Sequence, residues 1–82
     1  MARIVDGERK NIVGRKVRAL RIAKGMSQQT LSEKLETEAI YICRGSISRI
    51  EDGQRTVTDM ELRGLANVLS VSVDALFEGG EA

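Results

Sequence analysis

The sequence predicts an all-α fold, a single domain of five short helices. Three observations predict it. The 82 residues include no proline, which favours helices over a turn-rich β fold. Pairs of an apolar and a hydroxyl residue, the start signal of a helix, recur along the chain with one spacing. Finally, a chain of this length holds one domain and buries roughly 60–65% of its surface. With Tyr41 and Phe77 as the only aromatics, the core must come from Leu, Ile, Val and Met.

The first helix is read from Val13, Val17 and Leu20, which share one face, with Arg15, Lys16, Arg18 and Arg21 around it. Asn11 and Asp6 are both open as its cap, and Gly25 stops it. Residues 1–10 read as an N-terminal arm in which Arg3, Arg9 and Lys10 could follow a polyanion, or simply form a disordered tail. The second helix begins near Gln28, where Met26-Ser27 precedes Leu31 so that a cap and a hydrophobic staple coincide. The third begins near Arg44: Ile42-Cys43 before Ile47 repeats the staple, with Cys43 where a better cap is expected, and Gly53 ends it. The fourth begins near Asp59, where Val57-Thr58 precedes Leu62 and Thr58 forms a capping box with Glu61. The fifth begins near Val73, after Val71-Ser72 and before Leu76. Gly79-Gly80 ends the ordered chain, so the domain spans 11–78 and residues 79–82 form a tail.

The net charge of +1 conceals an asymmetry: +6 over residues 1–24, −1 over 25–58 and −4 over 59–82. One end can face a polyanion while the other avoids it; a solvated basic helix is the competing reading. A single cysteine excludes an internal disulfide framework and points to a reducing compartment. No stretch approaches the ~18 apolar residues of a membrane span, and no apolar run follows Arg3 to make a signal peptide. The expected location is the cytoplasm. Without histidine there is no nucleophile–base pair, and the glycines form no phosphate loop, so an enzyme is not expected. Cys43 alone, with no His and no second Cys, supports no metal site and no cofactor; it reads as a small apolar residue at a helix start.

With the helices placed, three blocks stand out. They are Val17-Arg18-Ala19-Leu20-Arg21, Gly25-Met26-Ser27-Gln28-Gln29-Thr30-Leu31, and Ser46-Ile47-Ser48-Arg49-Ile50-Glu51-Asp52-Gly53. They resemble the XRE-type family, which includes the phage repressor and Cro proteins. The similarity continues through Leu65-Ala66-Asn67-Val68-Leu69 and Val73-Asp74-Ala75-Leu76-Phe77, covering about residues 12–77. The resemblance implies a compact five-helix repressor-like helix-turn-helix domain that binds double-stranded DNA with its third helix in the major groove. One segment departs from the family pattern. Where a short turn joins the second and third helices, Glu36-Thr37-Glu38-Ala39-Ile40-Tyr41-Ile42 adds about five residues. Leu31, Leu35 and Ala39 lie at i, i+4 spacing, so the segment either extends the second helix by a turn or forms a loop.

The family register places Arg44, Gly45 and Arg49 at positions that contact bases, and Ser46 lies at the same helix tip. An arginine can make two hydrogen bonds to guanine, worth about 1–3 kcal/mol in discrimination. Gly45 offers only its backbone there. Gln28 and Gln29, at the start of the second helix, are read as phosphate contacts, together with Ser48 and Arg55. The competing reading for each is a solvated side chain. Arg21 and Glu51 sit where family members pair across the first and third helices, which implies a structural ion pair.

Val71, Val73, Leu76 and Phe77 form an apolar segment whose exposed part would suit a two-fold dimer. The resulting expectation is a transcriptional regulator, acting as a repressor, that binds a palindromic operator as a homodimer with no small-molecule ligand. The alternative is a protein-interaction module such as an antitoxin, acting through the apolar Ala39-Ile40-Tyr41-Ile42-Cys43 segment. That alternative requires the segment to be exposed. Sequence-independent DNA binding fits poorly with so small a net charge.

Overall fold

Hydroxyl caps start the second and fourth helices. In the computed structural model, which describes residues 9–78, Ser27 Oγ accepts the Thr30 N–H at 3.0 Å and α2 runs Gln28–Glu36. Thr58 Oγ1 accepts the Glu61 N–H at 3.1 Å, Glu61 Oε1 accepts the Thr58 N–H at 3.0 Å, and α4 runs Asp59–Leu69. Between them, α3 spans Arg44–Glu51; Cys43 at its start makes no capping bond, as its chemistry leads one to expect. The first helix, α1, covers Gly14–Ala23. Asn11 caps its start, its Oδ1 accepting the N–H groups of Val13 and Gly14 at 3.1 and 2.7 Å; Asp6, the other candidate, lies outside the described residues.

The expected fifth helix is corrected to a single 3-10 turn at Asp74–Phe77, so the domain has four α-helices and this turn. Its bonds step back three residues, as in Leu76 N–H to the Val73 carbonyl at 3.0 Å. Glu78 is already extended, with φ −87° and ψ 141°, which leaves no room for a second turn of helix. The reading of an arm through residue 8 and of a tail at 79–82 lies outside the described residues.

The helices close around one apolar core. Val13 and Val17 of the first segment meet Leu31 and Leu35 of α2, Ile47 and Ile50 of α3, and Leu65 and Leu69 of α4, with Ile42 and Leu76 filling the ends. Helix α2 packs on α3 and α4, and α1 packs on α3, α4 and the 3-10 turn. The extra segment between α2 and α3 does not lengthen α2. Ala39 takes the left-handed conformation, φ 61°, and the Ile40 N–H reaches back to the Leu35 carbonyl at 3.0 Å. The chain then turns inward: Ile42 is buried, its carbonyl accepts the Ser32 hydroxyl at 2.7 Å, and Ile40 seats against α4 at Gly64. A Cβ at Gly64 would come within 2.7 Å of Ile40, so that glycine makes the seat.

Candidate nucleic-acid interface

The hydrophobic period of α3 divides it into two faces. Ile47, Ile50 and Glu51 are buried, while Arg44, Gly45 and Arg49 are exposed and Ser46 and Ser48 lie at the margin. The structure therefore brings the residues expected to read bases onto one solvent-facing surface. Arg49 Nη2 donates to Ser46 Oγ at 3.0 Å, and the Cys43 thiol lies 3.5 Å from the same hydroxyl. The ion pairs among the described residues involve neither Arg44 nor Arg49.

A buried ion pair fixes this surface from behind. Arg21 Nε and Nη2 bind the two carboxylate oxygens of Glu51 at 2.7 and 3.0 Å. Arg21 also donates to the Met26 carbonyl at 2.8 Å. The charge-assisted bonds to Glu51 raise the Arg21 pKa, against the opposing effect of burial. With Glu51 only 3% exposed, loss of either partner would strand a charge, a cost of about 3–5 kcal/mol. The pair joins α1 to the last turn of α3, at the positions where the family resemblance implied one.

The phosphate candidates divide. Gln28 is half-buried and its side chain donates to Glu51 Oε1 at 3.0 Å, so it belongs to the ion-pair network. What Gln28 still offers is its backbone N–H in the first turn of α2, where no intrahelical acceptor exists. Gln29 is exposed and bonds Glu33 on its own helix at 3.2 Å. Arg55 grips Glu61 with both ends of its fork at 3.0 Å and donates to the Thr56 carbonyl, using three of its five donors. That contact raises the Arg55 pKa and lowers that of Glu61. Sequence reasoning anticipated neither engagement, because both partners are already explained by other roles, Glu61 as a cap residue and Glu51 as the mate of Arg21.

Residues 12–78 match the helix-turn-helix domain family. The chain belongs to that family. The restriction-modification controller protein C.AhdI from Aeromonas hydrophila is similar in structure, with a TM-score of 0.70 and 34% identity over 79% of this chain and 87% of that one. No curated protein sequence matches it. The resemblance to XRE-type regulators thus holds, and the family is one of DNA-binding transcriptional regulators rather than of enzymes. No helix among the described residues is long and apolar enough to cross a membrane.

In this helix-turn-helix domain, α2 and α3 form the motif, and residues 37–43 replace its usual short turn. Tyr41, 77% exposed, stands on the rim of the groove that Gln29, Cys43, Arg44 and Ser46 line. Sequence reasoning named it only as part of the apolar insert; the alternation of Ile40, Tyr41 and Ile42 carries the signal for its exposure, since in extended chain two inward neighbours turn the middle residue out. Cys43 is exposed rather than packed. The Ser46 hydroxyl first, then the N–H groups at the start of α3, hold its thiol below the ordinary value.

Proposed function

We propose that this chain is a sequence-specific transcriptional regulator, acting as a repressor, that lays α3 in the major groove of a DNA operator. Arg44 and Arg49 read guanine edges, Ser46 adds a hydroxyl, and Gly45 lets the backbone approach the bases closely. The N–H groups that begin α2, with Gln29, Ser48 and the two uncommitted donors of Arg55, hold phosphates and set the register. A homodimer would place two such helices about 34 Å apart on a palindromic site. The likeness to a restriction-modification controller supports a role in regulating genes of that kind, inside the cell.

The observation that carries this reading is the exposed face of α3. Its two arginines lack acidic partners among the described residues, while the opposite face is locked by the core and by Arg21–Glu51. The interaction-module alternative needs an exposed apolar insert: Ile42 is buried and Ile40 half-buried, whereas Ala39, Tyr41 and Cys43 are exposed, so a binding test must decide between the two readings. Selection of bound duplexes from a random library at near-physiological salt tests the proposal. An enriched palindrome supports it and gives the half-site spacing. Binding without enrichment would leave only nonspecific association, and no binding would transfer the function to a protein partner.

A further inference from the structure

The buried face of α3 is held by the core, but its C-terminal end is held by a segment distant in sequence. Residues 9–11 lie along the turn that follows α3 and meet four backbone carbonyls. Lys10 N–H donates to the Gly53 carbonyl at 2.7 Å, and Arg9 Nη2 to the Glu51 carbonyl at 2.9 Å. Asn11 Nδ2 donates to the carbonyls of Ile50 at 3.0 Å and Arg55 at 2.8 Å. Ile50 and Glu51 are in the last turn of α3, where carbonyls lack intrahelical donors. Arg9 and Lys10, assigned to the arm from sequence, are thus docked on the domain.

Asn11 also caps α1 through its other amide atom, so one side chain closes the start of α1 and the end of α3. The fit leaves little slack. A Cβ at Gly14 would overlap the Ile50 carbonyl oxygen, and one at Gly53 would lie 2.7 Å from the Arg9 guanidinium carbon. The turn is tied in its own right to the reading face, since the Gln54 N–H donates to the Arg49 carbonyl at 2.7 Å.

We propose that Asn11, assisted by Arg9, is a positioning residue for DNA recognition, setting the last turn of α3 and with it the placement of Arg49. The inference rests on the DNA-reading role of α3 proposed above. It distinguishes the two ends of the helix. The clamp grips the turn that carries Arg49, whereas Arg44 stands at the opposite end.

Asn11→Asp separates the two functions of the residue. Aspartate keeps the acceptor that α1 needs, but it loses both donors and sets a carboxylate against the Ile50 and Arg55 carbonyls. The variant is expected to fold, with amide exchange at Asp52, Gly53 and Gln54 faster than in the wild type. Affinity for the duplex that the wild type selects should fall about tenfold, because the last turn of α3 must be ordered on DNA without the two bonds that hold it in the wild type. Base preference should relax at the position that Arg49→Ala identifies, while the position that Arg44→Ala identifies stays as in the wild type.

If Asn11→Asp does not fold, Arg9→Met decides the matter. It keeps the aliphatic stem over Gly53, removes the bond to Glu51, and should give the same pattern at about threefold. A folded variant with wild-type affinity and preference would overturn the proposal. So would a loss spread evenly over all base positions in proportion to the unfolded fraction. A wild-type chain that enriches no duplex would instead defeat the DNA-reading role, and this inference with it; a wild type that enriches one while the variants match it defeats the clamp alone.

Discussion

Ser46 shows how single residues shape the proposed reading face. Its hydroxyl oxygen accepts from Arg49 Nη2, which holds that long side chain against the helix, whereas Arg44 forms no side-chain hydrogen bond among the described residues. An arginine already held in place loses less rotamer freedom when it meets a base. Arg49→Ala and Arg44→Ala should therefore both relax base preference, each at one position and by about 1–3 kcal/mol in discrimination, with unchanged melting. Binding selections on the two variants check this, and a motif identical to the wild type in both would remove them from base readout.

Residue-scale electrostatics also predict a pH effect at the loop after α3. Folding lowers the pKa of Glu61, first because Arg55 donates to its carboxylate and then because the Thr58 N–H does so. The folded state therefore binds this proton less tightly than the unfolded one. The stabilisation is complete above the ordinary carboxylate range and is lost as pH falls through the lower folded value. Glu61→Gln should melt below the wild type at neutral pH, with the gap closing in acid. Melting temperatures from pH 7 down to pH 3 (about the span over which carboxylates titrate) check it; a constant gap would mean that the charge is not what Glu61 contributes.

At the scale of elements, all four α-helices end in one way. A residue with positive φ is followed by an N–H that reaches back five residues: Met26 to Arg21, Ile40 to Leu35, Gln54 to Arg49 and Val71 to Ala66. The residues at positive φ are Gly25, Ala39, Gly53 and Ser70. The first and third ends were legible because glycine announces the conformation. The second and fourth were not, because alanine and serine occupy it at a cost and carry no such mark. This is why the length of α2 stayed open in the sequence and why the left-handed Ala39 closes it. Helix starts were more legible, since Ser27 and Thr58 bond within four residues of themselves. Asn11 shows the limit: its carbonyl partners lie 39 and 44 residues away, and no local pattern encodes such a contact. Ala39→Gly should stabilise the protein by about 1 kcal/mol by relieving the left-handed strain. Thermal or denaturant unfolding measures it, and a loss of stability would mean that the added freedom of the unfolded chain outweighs the relief.

For the whole molecule, the proposed operator recognition requires more contact than one small domain offers. In the proposed homodimer, the apolar C-terminal segment would supply part of the surface. Leu76 must be withdrawn from the expected interface, because it is fully buried and completes the core, and Val71 is half-buried against the same core. Val73 and Phe77 remain exposed, and Phe77 shares an apolar groove with the exposed Ile12 and with Val57 and Leu62. The surface that could join two copies therefore runs from the 3-10 turn toward the start of α1 rather than along residues 71–77 alone. A two-fold contact buries each such residue twice, so one charge introduced there acts twice. Phe77→Asp should turn a sedimenting dimer into a monomer without unfolding it, since the ring is already 46% exposed. On DNA the same variant should keep wild-type affinity for an isolated half-site and lose the gain that the second half-site gives the wild type. Sedimentation with and without duplex, followed by titration of half-site and full-site DNA, measures both effects. A wild type that stays monomeric at high concentration and on the full site would exclude this surface from recognition, leaving α3 to act singly.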